Sequence, residues 1–387
     1  MFRFTLFATF LFTLIGCSQN VDTDNKLSFR VVDTLYFDTN YIPHPRCSGS
    51  YYDKTLKKRL IYLSNPVTEK KMDIFDDQAQ KLYTINLEEG VASLNKDTYN
   101  INVISKDTII MYGFYNNKIS IINAEGKVWR NIDLSSKLEK DNFRIRPSEN
   151  YGGTSVGNSV VLNLEFNNYD KTDTILNLEK HFKNLYSNIF ESYKYGYIPN
   201  IFSDSVEVRY FAEGFYKNFY EKPYVFVEPN YYRVLNDKLF SFSVYSDQLL
   251  VYDLDKLKLE KKQQLKSDYT KIGIDPPTIE HPIEDILQEE INIRARCVGY
   301  TQDIIFDSRH QKYYITQHLE NLSDAPRKSF SIIFLDTDYN QVGEFLLDKE
   351  QMIRSWTPIL TDRGIMLCSK KNTIDENAKK IFYILDL

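Results

Sequence analysis

Short runs in which apolar and polar residues alternate, each ended by a polar or glycine-containing turn, recur along the chain from residue 27 onward. A period of two marks a half-buried strand. RLIYLSN (59–65) with MDIFDDQAQKLYTINL (72–87) sets the pattern. DTIIMYGFYNNKISIINAEGKVWRNIDL (107–134) repeats it, with a turn at Ala124-Glu125-Gly126 joining two strands, as short glycine-containing connections do. SVVLNLEFNN (159–168) with VEVRYFAEGF (206–215), KLFSFSVYSDQLLVYDLDKLKLEKKQQL (238–265), KYYITQHL (312–319) with FSIIFLDTDYNQVGEFLLD (330–348), and GIMLCSK (364–370) with KIFYILDL (380–387) complete the series. Units of this length built from four short strands predict β-propeller blades, six in number.

The marks Phe75-Asp76, Ile122-Asn123, Tyr252-Asp253, Leu335-Asp336 and Leu385-Asp386 recur at equivalent places in five of the units. The last unit stops after its third strand, while LSFRVVDTLYFD (27–38) stands at the other end with no unit of its own. An all-β, six-bladed propeller closed by that N-terminal strand removes the exposed edge each end would otherwise leave. A long β-sandwich or two separate sandwich domains, the competing architecture, gives no reason for matching incompleteness at both ends. Two stretches depart from the repeat. ILNLEKHFKNLYSNIFESY (175–193) has helix-like apolar spacing, and DPPTIEHPIEDILQEEIN (275–292) has a proline just inside an acidic first turn, so one or two short helices are expected as insertions at a rim.

The first 27 residues do not belong to this pattern. Arg3 precedes an apolar run, FTLFATFLFTLI (4–15), and then Gly16 and Cys17. The run is shorter than the ~20 residues a spanning helix needs, and has the order of a secretory signal. Leu14-Ile15-Gly16-Cys17 resembles the lipobox of bacterial lipoproteins. The resemblance implies a signal peptide over 1–16, lipid attachment (palmitate) at Cys17, a polar tether over 17–27 and a propeller domain over 28–387. Ser18 rather than Asp at the next position implies the outer membrane.

Composition narrows the rest. Twenty-nine Tyr and 25 Phe suit pleated, half-buried surfaces. A net charge of -5 argues against nucleic acid as a partner, which calls for a basic excess. Cys47, Cys297 and Cys368 are widely spaced and odd in number, and form neither a disulfide framework nor a zinc site. Gly153-Thr154-Ser155-Val156-Gly157 matches G-x-S-x-G, but a strand follows it where a nucleophile elbow needs a helix. Asp336 to Asn340 begins like a calcium loop, yet Gln341 and Leu347 stand where an EF-hand needs Gly and Glu. The five histidines show no ligand spacing, so no metal, cofactor or catalytic residue is expected.

Four blade-opening segments carry arginine: HPRCSGSYYD (44–53), FRIRPSENYGG (143–153), INIRARCVGY (291–300) and IRSWTP (353–358). The innermost strand of a blade is nearest the central channel. Arg46, Arg144, Arg146, Arg294, Arg296 and Arg354 are therefore the candidates for a central pocket, with Tyr51, Tyr151, Tyr300 and Trp356 as aromatic faces beside them. Such a pocket suits an anionic or carbohydrate-like ligand, because arginine grips carboxylates with a forked geometry. Pairing with carboxylates of the next blade is the competing role for the same side chains.

With Leu14 to Cys17, the blade-ending strands LLVYDL (249–254) and FYILDL (382–387), and its Tyr/Asn/Lys-rich composition, the chain resembles Bacteroidota lipoproteins of unknown function with a six-bladed propeller-like domain. That resemblance implies a cell-envelope location, periplasmic or surface-exposed, and transfers no activity. The expected role is ligand or partner binding without catalysis. A glycan lyase or hydrolase on the same scaffold is the alternative.

Overall fold

The computed structural model describes residues 30–44, 47–94, 99–113, 116–145, 155–166, 193–219, 230–243, 246–270, 272, 300–319, 330–347, 358–369 and 380–386. They form six antiparallel sheets arranged as a six-bladed β-propeller. Blade 1 is β2 (Gly49–Asp53), β3 (Lys58–Asn65), β4 (Lys71–Phe75) and β5 (Lys81–Asn86); blade 2 is β6 (Tyr99–Ser105), β7 (Thr108–Gly113), β8 (Lys118–Ile122) and β9 (Val128–Asp133). In blade 3 the innermost position is shared by β10 (Phe143–Ile145) and β11 (Ser155–Val156). Both pair with β12 (Ser159–Phe166), and β13 (Tyr193–Ile198) and β14 (Arg209–Phe211) follow. Blade 4 is β15 (Asn230–Leu235), β16 (Lys238–Ser243), β17 (Gln248–Asp253) and β18 (Lys258–Gln264). Blade 5 is β19 (Tyr300–Asp307), β20 (Lys312–His318), β21 (Phe330–Leu335) and β22 (Gln341–Leu346). Blade 6 takes β23 (Ile359–Thr361), β24 (Gly364–Cys368) and β25 (Lys380–Asp386) from one end of the chain and β1 (Arg30–Phe37) from the other.

The expected closure is present. β1 runs antiparallel to β25, from Arg30 opposite Asp386 to Phe37 opposite Lys380, and so becomes the outer strand of blade 6. Phe37 is fully buried, with its ring edge-on to Phe75 of blade 1 at 4.9 Å and to Phe382 of its own blade at 5.2 Å. Beyond β1, Tyr41 donates its hydroxyl to Leu63 O at 2.6 Å and accepts the amide of Asp73. The leading segment is thereby fastened across blade 1.

The hydrophobic pattern explains the layering. Middle strands such as β3, β8 and β21 are buried along nearly their whole length, because both faces press on neighbouring blades. Outer strands such as β5 and β9 alternate, with one side in water. The first strands of successive blades, β2, β6, β11, β15, β19 and β23, neighbour one another around the axis. Apolar clusters fill each gap between blades, for example Tyr51, Met72, Ile101 and Met111 between blades 1 and 2.

The recurring Asp or Asn marks have a physical cause. Asp76, Asn123 and Asp336 each follow the third strand of a blade, and the side-chain Oδ1 of each accepts two backbone amides of the next turn. This is the side-chain turn that Asp and Asn favour. Ala79, Gly126 and Tyr339 supply the positive φ that closes these hairpins. At Gly126 (φ 78°) a Cβ would collide with the carbonyl of Asn86 in blade 1. Gly126→Ala is therefore expected to lower the unfolding free energy by more than about 1 kcal/mol, read as a shift of the urea midpoint.

Two expectations are corrected. VEVRYFAEGF yields only the three-residue β14, and the third strand of blade 3 is β13, YKYGYI, whose first residue Tyr193 the helix-like spacing assigns to the end of a helix. The expected helices over 175–192 and 275–292 lie outside the described residues. The short helices among the described residues, α1 (Glu88–Ser93), α2 (Ser135–Leu138) and α3 (Tyr216–Phe219), follow the outer strands of blades 1, 2 and 3. Among the described residues no helix is long and apolar enough to cross a membrane.

Candidate functional site

The hairpins joining first to second strands in blades 1, 2 and 3 lie on one face of the ring. With a side chain from β5 and Phe202 from the β13–β14 connection they line an open groove of about 880 Å³, a size suited to a ligand. Tyr51 comes from β2 and Tyr83 from β5, and their hydroxyls are 3.0 Å apart. Burial pushes both phenols above their ordinary range, and the nearby carboxylates of Asp53 and Asp107 push the same way. Both stay protonated at neutral pH and act as hydrogen-bonding groups. The ammonium of Lys106 sits 5.5 Å from the centre of the Tyr83 ring, within cation–π reach.

Asp53 ends β2. Its Oδ1 accepts the amides of Thr55 and Leu56 at 2.8 and 2.9 Å and shapes the hairpin. The residue is 8% exposed, and among the described residues nothing engages its Oδ2. Asn102 on β6 donates one end of its amide to Ser155 Oγ on β11, which ties blade 2 to blade 3. The far wall is held by Arg130, which donates to Phe202 O at 3.1 Å and to Ser203 O, while the Trp129 ring stacks on Phe202 at 5.8 Å. Lys54 and Lys106 match Asp53 and Asp107, so the lining is balanced in charge.

Of the residues chosen from sequence, Tyr51 lies in this groove. Arg144 does not. It is the middle residue of β10, stands in register with Glu165 of β12 and pairs with that carboxylate at 3.4 Å. Tyr300 begins β19. Cys17, Arg46, Arg146, Tyr151, Arg294, Arg296, Arg354 and Trp356 lie outside the described residues. The arginines described between blades are others: Arg233 with Asp303 (2.6 Å), Arg309 with Asp386 (3.1 Å), and Arg59 with Asp362 (3.8 Å). Arg363 meets Asp33 at 2.7 Å within blade 6. Tyr83, Asn102, Lys106 and Phe202 escaped the sequence reading because each looks like an ordinary strand or turn residue. Arg233, inside the blade-opening NYYRVL, carried the same signal as the four segments chosen.

Ser155 of the G-x-S-x-G match sits in a β-hairpin, with Ser155 and Val156 opposite Val160 and Ser159. It is no strained elbow before a helix. Asp307, His310 and Asp386 are the three metal-ligating side chains that converge among the described residues. The guanidinium of Arg309 already lies between the two carboxylates, 2.5 Å from Asp307 and 3.1 Å from Asp386. Burial alone would raise Asp307; its bonds with Arg309 hold it below its ordinary value. The cluster is a seam between blades 5 and 6.

Among solved structures, a member of the DUF4221 family from Bacteroides vulgatus is similar over 92% of this chain and 97% of that one, with a TM-score of 0.68 and 16% identity. A Bacteroides fragilis protein provisionally described as exported follows at 8% identity, with 93% and 95% covered and a TM-score of 0.49. A streptogramin B lyase matches at 10% identity, 92% and 98% covered, with a TM-score of 0.42. The first likeness is one of fold, and the other two are too loose to bear on function. No family model matches the sequence, and no curated protein is similar to it.

Proposed function

We propose that this protein is a lipid-tethered propeller of the bacterial cell envelope, anchored at the outer membrane through Cys17, that captures a ligand without transforming it. The observation that carries the reading is the groove over blades 1–3. It is ligand-sized and lined by aromatic, amide, hydroxyl and balanced charged groups, while the serine of the hydrolase-like motif is tied up with Asn102 in a hairpin.

Topology favours a particular orientation. Arg30 begins β1 opposite Asp386, and Asp386 meets Arg309 in the hairpin between the first and second strands of blade 5. The chain therefore enters the ring on the face that bears the groove. Twelve residues lie between Cys17 and Arg30, and the thirteen steps from one to the other span at most about 45 Å when extended. An anchored propeller thus keeps the start of β1, on the face that bears the groove, within that distance of the membrane.

Two measurements test this. Cys17→Ser is expected to abolish palmitate labelling and move the protein from the membrane to the soluble fraction; retention of label or of membrane association overturns the anchor. Solubilised envelope material is expected to raise the melting midpoint of the full-length protein by several degrees, and Lys106→Glu to remove at least half of that shift. An equal shift in the variant overturns the groove, and recovery of a chemically altered ligand overturns binding without turnover.

A further inference from the structure

We infer that the ligand of the blade 1–3 groove is a neutral oligosaccharide, an inference that rests on the binding role proposed above. The polar heart of the groove is rich in acceptors. Asp53 is nine-tenths buried, uses one carboxylate oxygen for its own hairpin, and is left with Oδ2 free for a donor. Asn102, also buried, spends one end of its amide on Ser155 and keeps the other. The paired phenols of Tyr51 and Tyr83 both lie in the field of Asp53 and Asp107.

A carboxylate or phosphate entering the polar heart would meet the buried carboxylate of Asp53, whereas Lys54 and Lys106 are exposed and no arginine is among the groove's lining residues, which is unfavourable at short range in a partly desolvated site. An anionic ligand, one of the two classes expected from sequence, therefore does not suit this groove. A polyol does. Each sugar hydroxyl can donate to Asp53 or Asn102 and accept from a phenol, and hydrogen bonds to a charged acceptor are the strong ones. The apolar face of a pyranose ring matches the aromatic surfaces of Tyr52, Tyr83 and Phe202, which flank the polar groups. An amine would satisfy the acceptors too, but Lys54 and Lys106 already stand at the groove and oppose a second cation. The groove is open and spans three blades, which fits several linked rings better than a single small molecule.

The test is calorimetric titration of the full-length protein, held in a zwitterionic detergent that carries no sugar. The probes are maltotetraose, cellotetraose, mannotetraose and chitotetraose as neutral chains, tetragalacturonate as an acidic chain and spermidine as an amine. At least one neutral tetrasaccharide is expected to bind. Asp53→Asn, which keeps an acceptor for the hairpin, is expected to weaken it roughly tenfold or more, and Tyr83→Phe by a smaller factor. Preference for tetragalacturonate or spermidine, lost in these variants, overturns the ligand class and leaves the groove as the site. A neutral chain bound equally by wild type and both variants overturns the groove itself. Failure of every probe to bind overturns the neutral-glycan assignment.

Discussion

Phe37→Ala is expected to lower the unfolding free energy by about 3–5 kcal/mol, the cost of emptying a large aromatic from a closed core. The site cannot easily collapse. The Phe37 ring touches Phe75 of blade 1 and Phe382 of blade 6 edge-on, and it lies in a cluster that also holds Leu63, Phe334 and Ile384. A void there loosens the seam that keeps the ring shut. Removing the whole leading strand should do more. Without residues 30–37 the backbone of β25 becomes an exposed edge, and such edges recruit other chains, so the truncated protein is expected to aggregate on refolding. Urea unfolding followed by tyrosine fluorescence measures the first effect, and light scattering on dilution from urea the second. A loss below about 1 kcal/mol for Phe37→Ala would mean that closure is carried by the β1–β25 ladder and not by the aromatic contact.

The same seam shows why the architecture was legible in the sequence. The marks Phe75-Asp76, Ile122-Asn123 and Leu335-Asp336 recur because each ends a third strand with an acceptor that folds the next hairpin. At Leu385-Asp386 the fourth strand comes from the other end of the chain, so Asp386 has no hairpin to shape and takes Arg309 of blade 5 instead. Local turn chemistry repeats at nearly fixed intervals, and a repeat is visible in one sequence. Where tertiary contact outweighs pattern, the reading failed. Tyr193 to Ile198 is a strand buried on both faces, and without alternation it merged into the helix-like spacing before it. The groove was less legible still. Its tyrosine pair, its amide and its phenylalanine come from three blades, and only folding brings Tyr51, Asn102, Ser155 and Phe202 together. The blade-opening arginines pointed toward the start of the inner strands, where Arg144 meets Glu165. The groove lies at the other end of those strands, where the hairpins turn.

Asp303→Ala is expected to cost about 3–5 kcal/mol at neutral pH, because it leaves the Arg233 guanidinium between blades 4 and 5 without its counter-charge. The pair joins two inner strands at 2.6 Å, and Asp303 is only 1% exposed. Burial raises its carboxyl to about 6, against the lowering pull of Arg233 and of the Ile304 amide. Desolvation therefore outweighs attraction, and the pair is a net burden when charged. The folded state holds this proton at a pH where the unfolded chain has released it. The resulting stabilisation is full below about pH 4 and is lost as pH rises through 6. A shift of about two pH units corresponds to roughly 3 kcal/mol, as an order of magnitude. Other carboxylates titrate in the same window, so the informative quantity is the difference between wild type and Asp303→Asn. That variant is expected to flatten the pH 4–7 stability profile by this amount. Replacing both partners with apolar residues, Arg233→Met with Asp303→Val, is expected to leave stability equal to wild type or above it at pH 7.5. If the double variant is instead clearly less stable than wild type at pH 7.5, the ion pair is a net stabiliser of the ring and desolvation does not outweigh its attraction.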